Sequence, residues 1–151
     1  MKVVDTREYV SVFRELTKAD KEVGMMIAGN SMSPFLIHER DYIHFKKPDR
    51  PLKRGDMVFY QRKNGQFIMH RICRVTTNGF YMVGDAQTEI EGPIDREQIF
   101  ALITMVRRKG RLTKPGDFWW EFFARVWIRM IPIRHVLMRT YTFFRGKKYS
   151  S

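Results

Sequence analysis

A single cysteine, Cys73, in 151 residues rules out an internal disulfide. It lies between Ile72 and Arg74 in a strand-like run and reads as a small inward-facing hydrophobe. The four histidines, His38, His44, His70 and His135, show no metal-ligand spacing. That points away from a metallopeptidase, and no cofactor is implied. No run of 18 uncharged apolar residues is present, so a spanning helix is not supported. The opening Met1-Lys2 is followed within a few residues by Asp5, Arg7 and Glu8, unlike a secretory signal. Acidic side chains are scarce toward the C-terminus: residues 107–151 hold twelve basic and two acidic ones, which is +10 of the chain's formal +12. Residues 1–22, with five of each sign, balance out.

What is present is enough apolar material, 44 %, for a real core in one domain with a terminal appendage. Residues 1–22 hold an expected helix, Thr6 to Lys18, with Tyr9, Val12, Phe13 and Leu16 at helical spacing and Asp5 or Thr6 able to cap it. Residues 23–110 have β texture. Strands are expected at Val23 to Ala28, around Tyr42 to Phe45, at Met57 to Tyr60, Phe67 to Val75, Phe80 to Val83 and Ile99 to Val106. Asn64-Gly65 and Asn78-Gly79 suit the positive φ of tight hairpin turns, so the strands read as antiparallel, roughly six in number. Gly84 to Pro93 reads as a polar excursion.

Residues 111–151 form a basic, aromatic tail. Lys114-Pro115-Gly116-Asp117 reads as a linker ending in a helix cap, followed by a helix from Phe118 to Met130. Glu121 and Arg125 stand in the favourable i,i+4 order. Pro132 interrupts the pattern, and a second helix is expected over Ile133 to Phe144. The tail has three readings: packing on the β domain, lying on an anionic membrane surface through residues 117–145, or binding nucleic acid. The last is disfavoured because no DNA or RNA motif accompanies the charge.

Two positions carry candidate chemistry. Ser31, in Gly29-Asn30-Ser31-Met32-Ser33-Pro34, follows a flexible glycine and precedes a rigid proline at a strand end. Such a turn can project a hydroxyl while backbone N–H groups point at a carbonyl under attack. A hydroxyl needs a base, and His70 is the candidate. Period-two alternation puts it on one face with Ile68 and Ile72, opposite Met69, Arg71 and Cys73. A histidine there is either a satisfied core group or a neutral imidazole screened from water. Asp85 follows the strand that pairs back on the one bearing His70 and is a candidate to orient the ring, with Glu89, Glu91 and Asp95 downstream.

Taken together, Gly29-Asn30-Ser31-Met32-Ser33-Pro34, Arg54-Gly55-Asp56-Met57-Val58, His70-Arg71-Ile72 and Gly84-Asp85 resemble the type I signal peptidase and LexA-like serine peptidase superfamily over about residues 23–106. The resemblance implies a mainly β, antiparallel, partly closed domain, to which the residues themselves add an N-terminal helix and a C-terminal helical appendage. It implies Ser31 as nucleophile in the Ser-Met-x-Pro box and His70 as general base. Histidine there, followed by Arg and an aliphatic residue, matches the archaeal, endoplasmic-reticulum and sporulation-type members rather than the Ser-Lys bacterial ones. After Gly84-Asp85 the chain departs from the pattern of those Ser-His members. It reads Ala86-Gln87-Thr88-Glu89-Ile90-Glu91 in place of Asn-Asn and further aspartates, and this leaves the third residue open.

The implied activity is cleavage of an extended peptide, such as the leader of a small precursor, through an acyl-enzyme. The expected location is cytoplasmic, peripheral to the inner face of the membrane. The rival expectation is an inactive peptide- or partner-binding module of the same fold.

Overall fold

Two Asn-Gly turns lay out the centre of the sheet. Gly65 (φ +91°) and Gly79 (φ +138°) take backbone angles that side-chain-bearing residues avoid, and the turns close the hairpins β3–β4 and β4–β5. The computed structural model describes residue 15, residues 22–27 and 29–134, and residues 136, 137, 139 and 140. Its strands are β1 (Val23–Met26), β2 (Tyr42–Lys46), β3 (Met57–Gln61), β4 (Phe67–Thr76), β5 (Gly79–Val83), β6 (Glu91–Ile94), β7 (Ile99–Arg108) and β8 (Arg111–Thr113). All pairings are antiparallel, in the order β1-β2-β7-β3-β4-β5-β6, with β8 on β7.

The six expected strands are present, and two short ones join them. β6 lies inside the stretch read as a polar excursion. Its pairing with β5 is carried by Phe80↔Ile94 and Met82↔Glu91, and Glu91 and Gly92 give no apolar signal. β8 extends the β7 hairpin through Val106↔Thr113.

β3 is apolar at four successive positions because both its faces are covered. Met57 and Phe59 join a cluster with Met32, Phe35, Phe45 and Ile103, while Val58 and Tyr60 join another with Ile72, Met82 and Leu102. Ile68 and Ile72 of β4 belong to the second cluster and Met69 packs on the first, as the alternation requires.

The helix expected over Thr6 to Lys18 lies outside the described residues except for Glu15, which is helical. The tail run is helical but changes pitch. α1 (Phe118–Glu121) opens into a wide π turn over Phe122–Val126 and tightens to a 3₁₀ turn at Trp127–Arg129. Asp117 precedes α1 in extended conformation, and its carboxylate accepts the Lys114 N–H at 2.9 Å rather than capping the helix. Glu121 and Arg125 pair at 2.8 Å. Of the second expected helix, residues 134, 136, 137, 139 and 140 are helical, and the remainder lies largely outside the described residues. Among the described residues, no helix is long and apolar enough to cross a membrane.

The tail packs on the sheet. Phe123 and Trp127 are core members, and Phe123 packs tilted against Phe35 at 4.8 Å between ring centres. Gly55 makes room for this: a Cβ there would sit 2.7 Å from the Ala124 carbonyl oxygen. Phe123→Ala, at 4 % exposure, is expected to lower stability by about 3–5 kcal/mol, and Phe118→Ala, at 71 % exposure, by no more than about 0.5 kcal/mol, checked by urea unfolding of both variants.

Candidate functional site

Ser31 sits in a turn that begins at Gly29 (φ +93°). His38 anchors its start, with Nδ1 accepting the Gly29 N–H at 2.7 Å. Further on, the Ser33 N–H bonds the Asn30 carbonyl and the Leu36 N–H bonds the Met32 carbonyl, so the chain coils once and buries Met32, Phe35 and Leu36. The Ser31 hydroxyl has no hydrogen-bond partner among the described residues, and the side chain is half-buried. Its carbonyl oxygen accepts the Ala86 N–H at 2.9 Å. Gly84 faces the same oxygen so closely that a Cβ would lie 2.5 Å from it.

Loop 84–87 therefore holds the Ser31 backbone, and it is itself held from three sides. Asp85 receives Arg71 Nε and Nη2, each at 2.8 Å, in a fully buried bidentate pair. The Asp85 carbonyl accepts the Trp127 indole N–H at 2.7 Å. Arg134, also fully buried, donates to the carbonyls of Gly84, Gln87 and Trp127. The Arg71 guanidinium reaches the Gly55 carbonyl as well, so the turn before β3 joins the assembly.

Ser31 and His70 line one cleft of about 350 Å³, together with Met25, Met26, Phe59, Phe67, Ile68, Met69 and the polar Arg62, Gln66 and Gln87. The cleft lies against two strand edges that are unpaired among the described residues. β1 pairs with β2 alone among the described residues, and residues 67–70 of β4 pair with β3 but not with β5, whose ladder begins at Arg71↔Val83.

His70 is buried, and burial pulls its imidazole pKa down to about 4, with the Glu91 charge opposing the shift. The ring is therefore neutral at pH 7. The carboxylate facing it is Glu91, reached through Tyr60. Tyr60 Oη lies 3.4 Å from His70 Nδ1 and donates to Glu91 Oε1 at 2.9 Å. Arg62 grips Glu91 through Nη2 (2.6 Å) and Nε (2.8 Å), and this holds the carboxyl below its usual range. Burial pushes the Tyr60 hydroxyl pKa up, as does Glu91, so Tyr60 stays protonated.

Of the residues named from the sequence, the structure brings Ser31 and His70 to one cleft. Both carboxylate oxygens of Asp85 are bonded to Arg71, so the orienting role expected of it does not match its contacts. Glu89 lines a second cleft beside His70 and Glu91, while Asp95 precedes a 3₁₀ turn, its N–H bonded to Gln98 Oε1. Cys73 is half-buried and donates to the Tyr81 carbonyl at 3.3 Å. His44 lies 3.9 Å from Glu22, and His135 falls outside the described residues. Among the described residues no group of three His, Cys, Asp or Glu side chains could hold a metal.

Sequence reasoning missed Tyr60, Arg62, Trp127 and Arg134. Tyr60 was legible in principle: the hairpin register over Asn64-Gly65 puts Tyr60 opposite Ile68 and on the His70 face. Comparisons with protein families, with characterised proteins and with solved structures each find no match.

The depressed His70 pKa fixes the sign of a pH effect. The unfolded chain takes up a proton near pH 6.5, and the folded one does so only near 4. Stability is therefore complete above pH 6.5 and falls between 6.5 and 4, by about 3 kcal/mol for a shift of this size. The carboxylates Asp41, Asp56 and Glu91, all held below their ordinary values, act at lower pH. Urea midpoints measured from pH 7.5 to 4.5 are expected to fall steeply in the wild type and to flatten in His70→Gln.

Proposed function

We propose that the chain is a serine endopeptidase of the signal peptidase and LexA-like type, cleaving an extended peptide segment such as the leader of a small precursor. One observation carries the reading: a serine hydroxyl and two strand edges, all without a partner among the described residues, share a cleft with a buried, neutral histidine. An extended chain can add to such an edge through main-chain hydrogen bonds, with its side chains in the apolar wall made by Met25, Ile43, Phe59 and Met69.

In the reaction, His70 takes the Ser31 proton as Oγ bonds the scissile carbonyl carbon. The Ser31 backbone N–H stabilises the oxyanion. Collapse breaks the C–N bond, the imidazolium returns its proton to the leaving amine, and water then hydrolyses the acyl-enzyme by the same steps.

The tail adds a partner to the proposal, an anionic membrane surface. Its outer face exposes Phe118, Trp119 and Val126 beside Arg125 and Arg129, while its inner face is used for packing. Aromatic rings next to arginines suit the lipid headgroup region.

The test is mass spectrometry of a peptide library, with and without anionic vesicles, after incubation with wild type, Ser31→Ala and His70→Ala. Cuts made by the wild type alone are expected, at rates at least about a hundredfold above either variant. Identical patterns from all three proteins would sink serine catalysis. Peptides retained but uncut by folded, vesicle-bound wild type would make the chain a peptide-binding module. Activity is also expected to persist down to about pH 5, because the folded His70 loses its lone pair only near pH 4. A pH–rate profile with its acid limb at the ordinary imidazole value would contradict that.

A further inference from the structure

The contact between Tyr60 and His70 is chemically one-sided. Glu91 is ionised, because Arg62 bonds both its oxygens, and an ionised carboxylate only accepts hydrogen bonds. The Tyr60–Glu91 bond at 2.9 Å therefore consumes the single proton of the Tyr60 hydroxyl. Toward His70 Nδ1, 3.4 Å away, Tyr60 Oη has only lone pairs to offer. A neutral imidazole carries one proton, and that contact is favourable only if the proton sits on Nδ1. We infer that Tyr60, held by the Glu91–Arg62 pair, fixes His70 as the Nδ1–H tautomer and so makes Nε2 the nitrogen that acts as base.

The tautomer follows from the burial of His70 and the hydrogen bonds around it, and the catalytic use of Nε2 rests on the Ser-His reading. In that reading the proton of Ser31 moves to Nε2 as Oγ bonds carbon, and Nδ1 keeps its own proton, donated to Tyr60. The imidazolium then stands one hydroxyl away from the Glu91 charge. Tyr60 and Glu91 touch no substrate in this scheme. They are positioning residues, and they do through a hydroxyl bridge what a directly bonded carboxylate does in other serine peptidases. The arrangement also gives Arg62 a purpose beyond its surface ion pair. Its second arm, Nη1 to Gln66 Oε1 at 2.7 Å, ties the pair to the β3–β4 turn.

The experiment is long-range proton–nitrogen NMR of the full chain labelled in histidine nitrogen, with the His70 signals assigned from His70→Gln. In the wild type at pH 7, His70 Nδ1 is expected at a protonated-type shift and Nε2 at an unprotonated one. Tyr60→Phe keeps the ring that fills the core and removes the hydroxyl, and it should shift the populations toward the Nε2–H form. On any substrate the wild type cuts, kcat should fall about ten- to a hundredfold in Tyr60→Phe with KM unchanged. Glu91→Gln, whose amide can let the hydroxyl turn round, should lie between the two. An Nε2–H tautomer in the wild type, or an unchanged tautomer in folded Tyr60→Phe, overturns the inference even if the protein proves to be a peptidase. If no peptide is cut, the peptidase reading fails while the nitrogen shifts still decide the tautomer.

Discussion

The fully buried pair of Arg71 and Asp85 is the contact on which the rest of the molecule depends. Taking two charges out of water costs several kcal/mol for each ion, and the pair persists only because every arm is used. Two guanidinium nitrogens meet two carboxylate oxygens, the third reaches the Gly55 carbonyl, and the Asp85 carbonyl takes the Trp127 indole. Four segments distant in sequence meet at this point: the turn before β3, strand β4, loop 84–87 and the tail. The Ser31 carbonyl docks onto the third of these, so the position of the hydroxyl is inherited from an ion pair it does not touch.

Neighbouring residues on β4 divide the work. Arg71 and His70 point to opposite faces of the strand, one into a satisfied charge pair and the other beside the apolar cluster of Ile72 and Met82. Low dielectric has opposite consequences on the two sides. It strengthens an ion pair whose partners are both present, and it keeps an imidazole with no directly bonded carboxylate uncharged. The tail contributes to the first side through Trp127 and Arg134. It is thus structurally continuous with the loop that holds the Ser31 backbone rather than an appendage to it.

Much of this was legible in the residues. Asn-Gly turns and alternating strands gave the antiparallel centre of the sheet, and the period of two placed His70 with Ile68 and Ile72. What was not legible has a common cause. β6 is held by pairing with β5, not by its own pattern, since Glu91-Gly92-Pro93 has no strand signature. Asp85 and Glu91 are both acidic residues in one polar stretch, and composition cannot say which cation each will meet. That choice is made by the fold, which brings Arg71 to one and Arg62 to the other. The change of pitch along 118–129 likewise answers to the packing of Phe123 and Trp127 against the sheet rather than to local propensity.

Among the described residues, β1 and residues 67–70 of β4 each leave an edge unpaired beside the same cleft, and this bears on what can lie along them. A chain that lies along either edge must offer free N–H and C=O groups, which helices and paired strands have already committed. Under the peptidase proposal, admission would turn on backbone state before any side chain is read. Segments whose N–H and C=O groups are all paired have nothing to offer there, whereas a second copy of this domain carries the same two edges, unpaired among the described residues, so edge-to-edge pairing of copies would compete with any other strand for these positions.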